Sequence, residues 1–289
     1  MSNTLTYNSY GKSAVRLTKV VRSGCHHTLF EIDAAVQLEG DFADAYMNAD
    51  NRKLVATDTI KNTVYVVAKE NHFDSIEQFA VLLCRHFVKT YPQASGAKVE
   101  LKQSIWNRIE IDGRPHDHAF TGGGSHLRTC VAKLDRHHYD RNLDPDLDGG
   151  IDGLLVLKTT ESGWADFHSD RYRTLKDTTD RILATKVNAT WRFNKSTVDG
   201  NAAYDTILAA ILRPFATVYS ASAQQTIMDM GNAALAACAD IDEISFTLPN
   251  LHRIPFNLEP FGLKFENDIF VATDEPHGLI HGTVTRERK

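Results

Sequence analysis

His116-Asp117-His118 sets two imidazoles two residues apart. Alternate residues of a strand share a face, so the two imidazoles could meet one cation there. The sequence names no third ligand, and hydrogen-bonded structural histidines are the competing reading. Asp144-Pro145-Asp146-Leu147-Asp148-Gly149 opens like a calcium loop. Its twelfth position, where such a loop needs a bidentate glutamate, is Leu155, so a solvated acidic turn fits better. Thr121-Gly122-Gly123-Gly124-Ser125 lacks the lysine of a phosphate loop and suits a flexible hairpin tip. Lys12, in Gly11-Lys12-Ser13, stands before a strand pattern with no glycine-rich approach, and by spacing alone is an exposed lysine.

Other residues gain meaning from where the chain changes direction. In LPNLHRIPF, Leu248 to Phe256, a Pro-Asn break follows an alternating strand, and irregular backbone can present Asn250 and His252. Arg181 follows Asp180 and reads as its surface neighbour; Gln224 falls in the first turn of a helix. VATDTIKNTV, residues 55–64, is rich in β-branched residues yet contains the helix-start pair Thr57-Asp58. A helix start offers free N–H groups and the positive end of a dipole, which suits the acceptor edge of an anion. The simpler alternative is an N-cap by Asp58 with no ligand role.

These residues need elements to hold them. Phe30, Ile32, Ala34, Val36 and Leu38 alternate with polar residues over 27–40, which predicts a long strand with one wet face. Residues 13–22 read as its partner across the turn Ser23–His27. Ile60, Val64, Val67 and Ala68 form a helical stripe. A second helix carries Ile76, Phe79, Ala80, Leu83 and Phe87, with Asp74 and Glu77 as a cap-like pair, and ends near Tyr91-Pro92. Strands follow at 97–111 and 117–134. The run 136–150 is rich in Asp, Pro, Gly and Asn and reads as a join. The second half repeats the pattern: strands at 151–160 and 184–194, a helix from Tyr204 to Phe215 interrupted late by Pro214, a helix capped by Ser222 and Gln225, and strands at 242–248 and 269–285. The expected class is α+β, two ββααββ units over 1–140 and 141–289, with antiparallel strands and helices on one face.

Composition narrows the function. The chain has 289 residues, 42% hydrophobic and 24% charged, with net charge −5, so it can bury a full core and has no basic bias towards nucleic acid. Cys25, Cys84, Cys130 and Cys238 are far apart, which argues against a zinc knuckle or disulfide framework and suits a reducing compartment. No apolar run is long enough for a membrane span, the N-terminus has no secretory pattern, and the C-terminal TVTRERK is no peroxisomal address. The expected location is the cytoplasm.

Taken together, the pieces YGKSAVRLTKV, VATDTIKNTVYVVAKE, WNRIEIDGRPHDHAF, YRTLKDTTDRILATKVNATWRF, SASAQQTIMDM and LPNLHRIPFNLEPFG resemble the urate oxidase (uricase) family, in order and over nearly the whole chain. The resemblance implies a tandem tunnelling fold (T-fold), assembled as a tunnel-shaped homotetramer with active sites at chain interfaces. It implies oxidation of urate by O2 and water to 5-hydroxyisourate and hydrogen peroxide, with no metal and no organic cofactor. It implies that Arg181 grips the urate rim as a bidentate fork, that Gln224 meets the adjacent edge, and that Trp164 stacks on the ring. Backbone groups around Asp58 and Ala223 would complete the rim. Lys12 and Thr57 would be the catalytic pair, Thr57 coming from the neighbouring chain. His252 would extend the proton relay, and Asn250 would hold oxygen and then water above the ring.

The sequence departs from the family at three places. Trp164 stands where phenylalanine is usual, which leaves Phe167 as a second candidate for the stacking ring; Ala223 replaces a bulkier residue; and Leu251 stands where lysine is common. Two rival functions follow from the same residues: a metal-dependent hydrolase of this fold using His116 and His118, and a purine-binding tetramer without turnover.

Overall fold

The alternation over Phe30–Leu38 becomes the inner face of a strand: Phe30, Ile32, Ala34, Val36 and Leu38 are all buried, while the residues between them are at least partly open to solvent. The computed structural model describes residues 3–287. The outermost two residues at each end, part of the terminal stretches read above for targeting signals, lie outside the described residues. Strand β1 (Ser9–Ser23) turns at Gly24, φ +61°, into β2 (His26–Gly40), and the two pair antiparallel. Three helices follow: α1 (Ala43–Met47), α2 (Thr57–Glu70) and α3 (Ile76–Thr90). Then come β3 (Ala94–Ile111), β4 (Arg114–Asp135) and a short α4 (Arg136–Asp140). The second round is β5 (Asp146–Lys158), β6 (Leu183–Phe193), α5 (Gly200–Thr217), α6 (Ala223–Ala237), β7 (Ile241–Pro255) and β8 (Phe270–Thr285). With the five-residue α1 and α4 set aside, this is the α+β order ββααββ, met twice.

Contacts divide the chain into two units, one of Met1–Gly150 with Arg192–Tyr204 and one of Ile151–Trp191 with Asp205–Lys289. In the first, β1 to β4 pair in chain order, and α2 and α3 lie against β1, β3 and β4. Its core joins the α2 stripe of Ile60, Val64 and Val67 and the α3 face of Phe79, Leu83 and Phe87 to Val36, Val99, Leu101 and Ala132. A buried ion pair fastens α3 to β4, with Arg128 Nη2 2.6 Å from Glu77 Oε2; Arg128 Nη1 also donates to Asn201 Oδ1 at 2.7 Å. In the second unit α6 lies on β7 and β8, and Ile227, Met230, Ala234, Ile244 and Phe246 are buried.

Several local expectations are corrected. The tip of the β3–β4 hairpin is Asp112-Gly113, both with positive φ, as Asp-Gly hairpin turns require. Gly122 to Gly124 lie within β4, where the register shifts between Ser104 and Trp106. The acidic run after 144 is strand, not loop. Asp148 pairs with Arg192 at 3.3 Å, and Asp144 accepts from Ser196 N at 3.3 Å and lies 3.6 Å from Arg85. Carboxylates engaged by arginines and backbone are poor calcium ligands. Helix α3 is capped by Ser75, whose Oγ accepts from Gln78 N, and Gln78 Oε1 accepts in return from Asp74 N. That is a capping box one residue later than the Asp74–Glu77 pair. Helix α5 runs through Pro214 to Thr217. Strand β7 continues through the Pro-Asn pair to Pro255.

Candidate active site

Lys12 lies inside β1, not before it, opposite Val36. Register then jumps to Val15 opposite Ala34, with Ala14 in the left-handed region at φ +56°. This bulge keeps both Lys12 and Val15 on the sheet face where Val36 and Ala34 are buried, the face that α2 covers. The neighbouring Tyr10 ties the same stretch to the entrance of α2: its hydroxyl accepts from Val55 N at 2.7 Å, two residues before Thr57.

The start of α2 has no cap of its own. Ala56 is the N-cap, it provides no side-chain acceptor, and the first helical bond runs from Ile60 N to Ala56 O. The N–H groups of Thr57, Asp58 and Thr59 are therefore left to an outside acceptor. Helices α3 and α6, by contrast, are capped by Ser75 and Ser222. The expected cap by Asp58 fails because Asp58 sits inside the first turn, with its carboxylate bonded to Lys61 and to Asn62 Nδ2. The Lys61 ammonium first, and Lys12 more weakly, hold that carboxyl below its ordinary range. Lys12 of β1 and Thr57-Asp58 of α2 thus belong to elements that pack together within one chain.

A second cluster forms in the other unit from three short segments. Trp164 and Thr178 exchange backbone bonds, N to O at 2.7 and 2.9 Å. Gly163 N donates to Ser220 O at 2.9 Å, Ser220 N donates to Glu161 O at 2.9 Å, and Arg181 N donates to Ser162 O at 2.8 Å. Tyr219 Oη donates to Thr179 O at 3.0 Å. These bonds join 161–164, 178–181 and the residues leading into α6, and so bring Trp164, Arg181, Ala223 and Gln224 onto one frame. The Arg181 guanidinium lies 5.9 Å from the Trp164 ring centroid.

Arg181 is not the surface partner of Asp180. That carboxylate is taken by Thr160 Oγ1 at 2.8 Å and Asn267 Nδ2 at 3.4 Å. Arg181 is half-buried, its Nε is buried without a hydrogen-bond partner, and burial pulls its pKa down from the ordinary value. A half-buried guanidinium without a carboxylate partner is chemically able to receive an anion. Beside it Ser222 Oγ accepts from Gln225 N at 3.1 Å, which leaves the N–H groups of Ala223 and Gln224 pointing out of the helix. Ala223 is buried and Gln224 exposed.

Asn250 and His252 sit on β7 at a large irregularity. Asn250 faces Gly278 and His252 faces Thr273, so residues 274–277 of the partner strand bulge out of the ladder. Leu251 is buried between them, and the two polar side chains share the opposite face. The arm that carries them touches the Arg181 frame at Asn267 and Asp180.

Among the described residues no third ligand group gathers with the histidine pair at 116 and 118. The rings are 4.6 Å apart, but His116 Nδ1 accepts from Ala119 N at 3.1 Å and His118 N at 3.3 Å. The Arg108 guanidinium donates to the carbonyls of His116 and Asp117 at 3.0 and 2.6 Å and contacts His26 Nε2 at 2.8 Å, so a fixed cation already lies along this stretch. Among the described residues the group with ligand atoms mutually within 4.8 Å is Asp135, His137 and His138, all exposed. There Asp135 already caps α4, accepting from His138 N at 2.7 Å and contacting its Nδ1 at 2.6 Å. Sequence reasoning passed over Tyr10, Ser162 and Tyr219. No local pattern marks them, because their roles arise from bonds to distant segments.

The profile of the Uricase family matches residues 8–133 and 147–281. A protein of Arthrobacter globiformis named Uricase is 41% identical over 283 residues, covering 98% of this chain and 90% of that one. The Dictyostelium discoideum Uricase is 35% identical over 287 residues, covering 98% of each. The crystal structure of the uricase from Arthrobacter globiformis superposes with a TM-score of 0.92 at 40% identity, over 100% of this chain and 97% of that one. A Bacillus fastidious uricase shares the fold, TM-score 0.82 at 21% identity, over 98% of this chain and 94% of that one.

Proposed function

The chain belongs to the uricase family and is a urate oxidase, and we propose that the Arg181 cluster of one chain and the Lys12–Thr57 cluster of a neighbouring chain together form one urate site. The observation that carries this reading is the half-buried Arg181, without a carboxylate partner, beside the Trp164 ring and the start of α6. Urate is a flat anion with acceptors and N–H donors on its rim. Arg181 grips two acceptors, Gln224 and the free N–H groups of the α6 first turn meet the next edge, and Trp164 covers a face. The uncapped start of α2 offers N–H groups to the remaining acceptor edge.

Chemistry then needs a proton removed and two electrons passed. Lys12 takes a proton from urate through the Thr57 hydroxyl, and His252 extends the relay. The electron-rich ring gives two electrons to O2 held by Asn250. O2 leaves as hydrogen peroxide, and the oxygen of a water enters C5 to give 5-hydroxyisourate.

Because β1 packs against α2 and Tyr10 Oη accepts from Val55 N just before Thr57, a neighbouring chain that supplies Thr57 supplies Lys12 with it. We therefore propose a homotetramer with sites at chain interfaces, each chain contributing two T-fold units, 1–140 and 141–289. No described helix is long and apolar enough to cross a membrane. The exposed free thiol of Cys25 suits a reducing compartment, and we place the reaction in the cytoplasm. The deciding experiment follows urate loss by ultraviolet absorbance and oxygen uptake together on chelator-treated protein. Equal loss of both with peroxide formed supports the reading. Activity that disappears with the chelator and returns with zinc supports the hydrolase, and urate binding without oxygen uptake supports the silent binder.

A further inference from the structure

We propose that Phe167 and Arg173 are positioning residues that fix the plane of the Trp164 indole, so that urate meets a layered stack and not a single ring; this rests on the stacking role given to Trp164 above. The Trp164 and Phe167 rings are stacked, centroids 5.3 Å apart at 16°. The Arg173 guanidinium in turn lies over Phe167, 4.0 Å from its centroid. Arg173 is itself held: Nη2 is 2.6 Å from Asp177 Oδ1, and Nε donates to Leu175 O at 3.1 Å.

The need for this backing is local. The backbone of Trp164 is fixed by its two bonds to Thr178, but the indole is only half-buried. Residues 165–177 form neither helix nor strand and are largely exposed, so no core packing dictates the indole rotamer. Left alone, the ring would lose rotamer freedom at each binding event, and that ordering weakens affinity. Phe167 and Arg173 supply the ordering in advance. The same contacts assign the two candidate stacking rings. Trp164 is the one beside Arg181, while Phe167 lies between Trp164 and Arg173.

The test compares Phe167→Ala, Phe167→Leu and Phe167→Tyr in the intact assembly. The expected result is a KM for urate raised about three- to tenfold in the Ala and Leu variants and restored in the Tyr variant, with kcat within about twofold throughout. Arg173→Gln raises KM about two- to fivefold. Quenching of Trp164 emission by xanthine, with Trp164→Phe as blank, weakens in parallel. In a Trp164→Ala background Phe167→Ala adds nothing further, which a purely structural role would not produce. If Trp164→Ala raises KM and Phe167→Ala does not, or if the two effects add, the positioning role is overturned and the stacking role stands. If Trp164→Ala leaves KM unchanged, the stacking role falls and this inference with it.

Discussion

Gly11→Ala tests the proposed role of the Lys12 amine. Gly11 precedes Lys12 and faces Gln37 in the β1–β2 ladder. A methyl group there would lie 2.7 Å from the Val36 carbonyl carbon and 2.9 Å from Gln37 Cα, and closer still to Val36 O. Carbon–carbon contacts relax at about 3.5–4.0 Å, so β1 must retreat from β2 by about 1 Å. The obstacle is backbone, so no rotamer change relieves it. Overpacking of this kind costs about 1–3 kcal/mol of stability. A displacement of about 1 Å at the reacting groups costs about 10²-fold in rate. Lys12 moves with β1 while Arg181, Gln224 and Trp164 belong to the other unit, so kcat should fall about 100-fold with KM changed by less than about threefold. Stopped-flow urate absorbance gives both constants, and urea unfolding gives the stability change. Gly122→Ala is the control, since a methyl there meets nothing within 4 Å. An unchanged kcat in Gly11→Ala, or a loss carried entirely by KM, would refute the placement of Lys12 in the proton path.

Other perturbations separate the remaining roles. Lys12→Met and Thr57→Ala should each lower turnover far more than urate affinity; equal loss in both, measured by steady-state kinetics and equilibrium binding, contradicts the assignment. Arg181→Lys keeps the charge but loses the fork, and KM should rise at least about tenfold, read from initial rates; an unaltered KM would remove Arg181 from the site. Arg128→Met strands the buried Glu77 carboxylate and should cost about 3–5 kcal/mol in urea unfolding; a loss below about 1 kcal/mol would mean the pair adds nothing. Burial holds His126 below its ordinary pKa of 6.5. The unfolded chain therefore takes up that proton first as pH falls, so its stabilisation is complete above about 6.5 and is lost below it. Unfolding midpoints at pH 7.5 and 5.5 should differ less in His126→Gln, and an identical slope excludes His126 as a contributor.

The periodic elements were legible in the sequence. The β2 alternation and the α2 and α3 stripes were read with their buried residues correct, because a period of two or of 3.6 is written in neighbouring side chains. The hairpin tip was misplaced to the triple glycine although Asp112-Gly113 carries the turn chemistry. Capping was read one residue early at α3 and wrongly at α2, since which oxygen reaches which N–H depends on where the preceding loop arrives.

By itself, then, the sequence determined the α+β order, the two rounds of ββααββ and, through motifs spread from Tyr10 to Gly262, the family. Only the tertiary structure groups the candidate site residues. Arg181 looked like a partner of Asp180 until Thr160 and Asn267 took that carboxylate. Trp164 and Phe167 are rival rings in the sequence, and only the fold stacks them and puts Trp164 beside Arg181. Thr57 and Asp58 looked like a capped helix start until α2 proved to have no cap. The physical reason is common to all three. Helix and strand patterns are set by neighbours a few residues apart, whereas the availability of a buried donor depends on groups brought to it by the fold from across the chain.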